Sequence, residues 1–144
     1  MPTVRDIIAH KGRDVAAVAE EARVLDAIQV MADRRIGSVV VKSGEQVTGI
    51  FTERDVLNRV VALEKNTREV RVRDVMSSPV ACCQLDTKLS ECRSVMASKK
   101  LRHLPVVEDG KLVGLISIGD ISAREADDQA HTIEYLNEYL YGRV

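Results

Sequence analysis

The 144-residue sequence predicts an α+β fold: two β-α-β-β-α units packed sheet to sheet as a pseudo-dimer, followed by a helical tail. Two observations carry this. The first is a duplication. Gly49-Ile50-Phe51-Thr52-Glu53-Arg54-Asp55-Val56 returns as Gly114-Leu115-Ile116-Ser117-Ile118-Gly119-Asp120-Ile121, 65 residues on, and Met31/Met96 and Val15/Val80 share that offset. The second is that apolar spacing switches between helical and strand periods in the same order in both halves. Repeats this long are not solenoid units, which run roughly 20–50 residues and need three or more copies to bury a core. Two units closing on each other fit better.

The units divide as residues 1–66 and 67–125, with a tail over 126–144. Each opens with the same short segment, Val4-Arg5-Asp6-Ile7 and Val72-Arg73-Asp74-Val75, but at an offset of 68, so the first unit carries three extra residues near His10 to Asp14. Ala16 and Ala81 then fall on the first strand of each unit. Val24, Ala27, Ile28 and Met31 follow at i, i+3, i+4 and i+7, one apolar stripe of a helix, and Leu89, Cys92, Val95 and Met96 repeat that face with Asp86 as the expected N-cap. Short apolar runs come next: 38–41 and 47–51 around a turn at Gly44, and 104–107 and 112–116 around Asp109-Gly110, a strong hairpin signal. Val56, Leu57, Val60 and Val61 mark a helix after the first hydroxyl-x-x-Asp motif, and Ile121 opens its counterpart. The charged stretch 63–71 lacks a stripe and reads as the linker. In the tail, Ile133, Leu136 and Leu140 share a helical face suited to packing on this module or on a second copy.

Composition narrows the function classes. Lys plus Arg (21) balances Asp plus Glu (22), and one Phe with three Tyr offers little base stacking, so no field or platform favours nucleic acid. No long apolar span or leader pattern is present, which points to a cytoplasmic protein with no membrane partner. The three cysteines, Cys82, Cys83 and Cys92, form no C-x-x-C pair and read as small hydrophobes, with the neighbours Cys82 and Cys83 facing opposite ways on a strand. His10, His103 and His131 have no Cys or carboxylate at ligand spacing, so neither a metal site nor a catalytic constellation is expected.

The chemistry concentrates at the duplicated motif. Thr52 and Ser117 stand where a strand gives way to a helix, so each hydroxyl can cap the helix while Asp55 or Asp120 occupies the third helical position. A capping box alone would explain that pattern. Here, however, each box follows a strand directly at a Gly-led edge, which aims a helix N-terminus at the cleft between units, and a carboxylate one turn in can accept both hydroxyls of a ribose diol. Arg54, Arg102 and His103 supply basic groups at the cleft mouth, where the guanidinium forks suit phosphate oxygens. Their counterparts, Gly119 and Gly37-Ser38, are uncharged, so two unequal sites are expected.

These residues, together with Arg102-His103-Leu104-Pro105-Val106-Val107, resemble a tandem pair of cystathionine β-synthase (CBS) domains, a Bateman module, over about residues 1 to 125. The resemblance implies pseudo-twofold packing of the two sheets, two clefts for adenosine-containing ligands, and dimers of modules packed as a flat disc. By position it makes Asp55 and Asp120 ribose acceptors, Thr52 and Ser117 hydroxyls near the ribose or phosphate, and Arg54, Arg102 and His103 phosphate contacts. Ala16 and Ala81 would meet the base, with Gly37 and Ser38 at the rim of the weaker cleft. The expected function is a non-enzymatic, stand-alone sensor of AMP, ATP or NAD(H) that forms a homodimer or larger assembly and signals to a separate target protein. The alternatives are an assembly scaffold indifferent to ligand and, further off, a nucleotide-processing enzyme.

Overall fold

Both hairpins form, and in the same register. The computed structural model describes residues 1–126, so the tail helix expected around Ile133, Leu136 and Leu140 lies outside the described residues. The first unit comprises α1 (Val4–Lys11), β1 (Ala17–Ala19), α2 (Val24–Arg34), β2 (Ser38–Ser43), β3 (Gln46–Thr52) and α3 (Glu53–Asp55), which runs on as a π-helix, Val56–Val61. A 3₁₀ turn, Val72–Asp74, opens the second unit, which continues with α4 (Leu89–Lys99), β4 (His103–Glu108), β5 (Lys111–Ser117) and helical residues 118–126. Ser38 pairs with Thr52 across the first hairpin and His103 with Ser117 across the second, each pair 65 residues from its twin. Both α2 and α4 end on a left-handed residue, Arg35 (φ 55°) and Lys100 (φ 56°). The next N–H then reaches back to the Met31 or Met96 carbonyl, at 3.0 and 2.8 Å, satisfying a carbonyl that the helix end leaves open. The class is α+β, with two small sheets whose third and fifth strands pack together.

What joins the units is an exchange of their opening segments. Val4, Ile7 and Ile8 of α1 are buried with Leu85, Leu89, Met96 and Ile116, in the second core. Val72 and Val75 are buried with Val24, Met31, Val39 and Phe51, in the first. The backbone follows the same rule: Val4 and Arg5 N–H groups donate to Thr87 and Leu85, and Val72 and Arg73 donate to Ala22 and Glu20. The first free N–H of α4, on Leu89, donates to Pro2, as Val24 and Leu25 of α2 donate to Val70 and Thr67. Helix starts that lack a side-chain cap are thus capped by the partner unit's backbone. The motif glycines make room for these segments. A Cβ on Gly114 would lie 2.6 Å from Ile8 Cδ1, and one on Gly49 would lie 2.6 Å from Met76 Sδ and 2.9 Å from the Ser77 carbonyl oxygen.

Two expectations are corrected. The second unit has no counterpart of β1: Ala81 is in irregular chain, and Cys83 alone bridges to Val106. The cause is Pro105. In the first unit Val40 N–H donates to Ala16 at 3.0 Å, but the residue 65 positions on from Val40 is Pro105, which has no N–H to give Ala81. Ala16 itself sits just before β1 rather than on it. Asp86 does not cap α4, whose N-cap position is Lys88. A turn intervenes in which Thr87 Oγ1 accepts the Gln84 N–H, leaving Asp86 exposed and paired with Arg5 at 2.8 Å. Cys83 and Cys92 are buried as small hydrophobes, whereas Cys82 is exposed, and Cys82 and Cys83 lie outside any strand, Cys83 forming only an isolated bridge. No helix among the described residues is long and apolar enough to cross a membrane.

Because α1 completes the second core, Ile8→Ala should cost about 2–5 kcal/mol in urea unfolding, the range for truncating a buried isoleucine. A loss of under about 1 kcal/mol would mean that the exchange contributes little packing.

Candidate functional site

Thr52 and Ser117 both cap the helix that follows, yet the two carboxylates they hold are in different states. Asp55 N–H donates to Thr52 Oγ1 (3.2 Å) and Asp120 N–H to Ser117 Oγ (3.0 Å), while the Thr52 and Ser117 N–H groups donate to Asp55 Oδ2 (3.0 Å) and Asp120 Oδ2 (2.8 Å). Both are reciprocal capping boxes. Beyond them the sites part. Asp55 also accepts the Ser77 hydroxyl on Oδ1 (2.9 Å) and Oδ2 (3.2 Å), has Arg59 Nε 3.8 Å from Oδ1, and leaves 7% of its side chain exposed. Asp120 leaves 25% exposed. Its Oδ2 accepts Lys11 Nζ at 2.8 Å, and its Oδ1 accepts nothing from the described residues. One oxygen of Asp120 is therefore open to a ligand hydroxyl.

Asp120 lines a cavity of about 330 Å³ with His10, Lys11 and Arg124, and its two bonding partners, Lys11 and Ser117, also line a neighbouring cleft between the units, of about 580 Å³. Of the residues singled out in the sequence, Ala16, Gly37, Ser38, His103 and Ser117 line this larger cleft, and Asp120 is tied to it through its bonds to Lys11 and Ser117. Arg54 and Arg102 do not. They line a separate cavity of about 390 Å³ with Arg93 and Lys100. The expected phosphate trio is thereby split, because His103 begins β4, where side chains of adjacent residues leave on opposite faces. Ala81 packs on the second core, and Thr52 and Asp55 are engaged with each other and with Ser77. The cleft that presents an open acceptor is the one expected to be the weaker on charge.

Sequence reasoning missed Lys11, Asp14, Arg34 and Ser77. Lys11 donates to the Leu115 carbonyl at 2.8 Å as well as to Asp120, and Arg34 lies 3.7 Å from Asp14 on the same cleft wall. The signal for Lys11 was the three-residue excess near His10 to Asp14. Three residues are almost one helical turn, and they carry α1 far enough to reach Asp120.

The electrostatics of the cleft are set by burial and by Lys11. Burial alone would push the Asp120 carboxyl up, but the Lys11 ammonium and the Ser117 N–H outweigh it and hold the group below the ordinary carboxylate range. Desolvation, then the neighbouring Lys11 charge, holds His103 below its ordinary value of 6.5. His103 is thus a neutral hydrogen-bonding ring near pH 7. Between its lowered folded value and 6.5, the unfolded chain binds a proton that the folded chain refuses, so stability falls as pH drops through that window. Asp120 acts with the same sign below 3.8. The melting temperature should therefore decline as the pH falls through 6.5, and His103→Gln should flatten that decline in a thermal-melt series. An unchanged slope in the variant would contradict the assignment.

Comparison with known proteins places this arrangement. The CBS domain family model matches residues 4–62 and 72–127. The mitochondrial CBS domain-containing protein CBSX3 of Arabidopsis thaliana is 29% identical over 149 residues, 97% of this chain and 72% of the relative. A CBS-domain containing protein from Agrobacterium tumefaciens superposes with a TM-score of 0.80 at 34% identity, covering 86% of this chain and 99% of that one. A CBS domain protein from Pyrobaculum aerophilum, complexed with AMP, shares the fold at a TM-score of 0.73 and 23% identity, covering 83% of this chain and 89% of its own. Matched once in each half, with both capping boxes in place, the chain belongs to the CBS domain family as a tandem pair.

Proposed function

We propose that this module is a non-enzymatic sensor that binds an adenosine 5′-nucleotide, AMP, ATP or the adenosine half of NAD(H), in the cleft beside Asp120. The observation that carries the reading is the unfilled Oδ1 of an ionised, one-quarter exposed carboxylate bonded to Lys11 and Ser117, which line a cavity of about 580 Å³, within the size range of small-molecule sites. A ribose diol supplies the two donors that such an oxygen can accept. Val15, Ala16 and Ile36 give the base an apolar wall, and Ser117, His103, Lys11 and Arg34 surround the phosphate end with donors. The AMP complex of the Pyrobaculum relative supports the ligand class.

The signal follows from Lys11. A diol at Asp120 competes with the ammonium for the carboxylate, and Lys11 ends the helix that the first unit lends to the second, so filling the cleft favours one arrangement of the units over another. Leu57, Val61 and Leu63, each at least 60% exposed, offer an apolar face suited to a second module in a homodimer. The readout is a separate target protein, and the reading needs no bound metal.

Calorimetric titration should detect AMP binding by the wild-type chain, weakened about 10- to 100-fold in Asp120→Ala, the loss of a charge-assisted hydrogen bond. Unchanged affinity in that variant would refute this use of the cleft.

A further inference from the structure

The second cleft is the puzzle of the molecule. Arg54 and Arg102 gather on its side with Lys100 and Arg93, and only Arg93 has a carboxylate partner among the described residues, Glu125 at 2.7 Å. The cations suit an anionic ligand, yet Asp55, the motif carboxylate next in sequence to Arg54, does not line that cavity and is buried and occupied. The occupant belongs to the chain itself. Ser77 Oγ lies 2.9 Å from Oδ1 and 3.2 Å from Oδ2, a hydroxyl astride the two oxygens that a sugar diol would use.

Ser77 is not there by a chance rotamer. Its N–H donates to the Ile50 carbonyl (2.8 Å) and its carbonyl accepts the Ile50 N–H (3.0 Å), so the residue is pinned as an added bridge on β3. Gly49 makes this approach possible, since a side chain there would collide with Met76 and with the Ser77 carbonyl. The other cleft lacks the device. The opening segments align at an offset of 68, which matches Ser77 with Ala9, a residue without a hydroxyl, and the carboxylate there is met by the movable end of Lys11.

We infer that Ser77 is a built-in latch that closes the Asp55 cleft by standing in for the sugar hydroxyls, so that one module takes up a single nucleotide, at Asp120. This rests on the proposed use of the clefts as nucleotide sites, but the latch itself can be read without ligand. Mass mapping of carboxyl groups labelled with a carbodiimide and glycinamide should modify Asp55 about tenfold more slowly than Asp120 in the wild-type chain. Ser77→Ala should raise the Asp55 rate several-fold, and Ser77→Thr, which keeps the hydroxyl, should leave it protected. Calorimetry with AMP should then rise from one equivalent per wild-type chain to two in Ser77→Ala.

Equal labelling of the two aspartates in the wild-type chain, two equivalents of AMP bound by it, or no change of either readout in Ser77→Ala would each overturn the latch. Faster Asp55 labelling with the stoichiometry still at one would show that the hydroxyl is not what withholds the site, and would overturn it too. Absence of any AMP binding, with Asp55 still protected and released by Ser77→Ala, would refute the nucleotide reading and leave the closure standing.

Discussion

The reciprocal loan of opening segments is the constraint on which the rest of the molecule depends. A unit of roughly 60 residues buries too little surface to be secure alone, and each one here completes its core with apolar side chains from the other. The loan also caps both long helices through backbone groups, which is why Arg23 and Lys88 can occupy N-cap positions usually given to short polar residues. The interface between units is therefore continuous with the two cores, and a ligand lodged there acts on packing directly.

The same loan decides what each motif carboxylate meets. Both aspartates do one structural job identically, closing a capping box. What remains of their hydrogen-bonding capacity is set by the segment delivered beside them. A helix arrives at Asp120 and offers a lysine at the end of a flexible stem. The irregular chain after the 3₁₀ turn arrives at Asp55 and offers a serine hydroxyl held by two backbone bonds. The ammonium can be exchanged for a ligand donor at small cost because both partners stay near water, whereas freeing Asp55 requires undoing a buried arrangement. Duplication supplied two copies of one site, and three residues in the opening segment made them different.

How much of this was legible follows from the range of each interaction. The hairpins, the α2 and α4 stripes and the strand-to-helix caps are local, and their spacing is written in runs of a dozen residues or fewer. Part of the spatial grouping was legible: Ala16, Gly37, Ser38, His103 and Ser117 line one cleft, with Asp120 bonded to Ser117 beside it. The separation of Arg54 and Arg102 from His103 was not, because it depends on strand orientation. Arg102 and His103 are neighbours in sequence and serve different cavities. The exchange was hidden because an offset says that two segments are alike without saying whose core each joins. Ser77 had no signal at all, being one serine in irregular chain. The missing first strand of the second unit was readable, since Pro105 stands where a donor is required, but its meaning depends on knowing the register.

The account stands or falls on the Asp120 carboxylate as the acceptor of a sugar. A crystal structure of the chain grown with AMP tests this most directly. It should show the ribose hydroxyls within hydrogen-bonding distance of Asp120, Lys11 Nζ moved off that carboxylate, and Asp55 still bonded to Ser77. An Asp120 still held by Lys11 beside an empty cleft, or a ribose bound at Asp55, would contradict it.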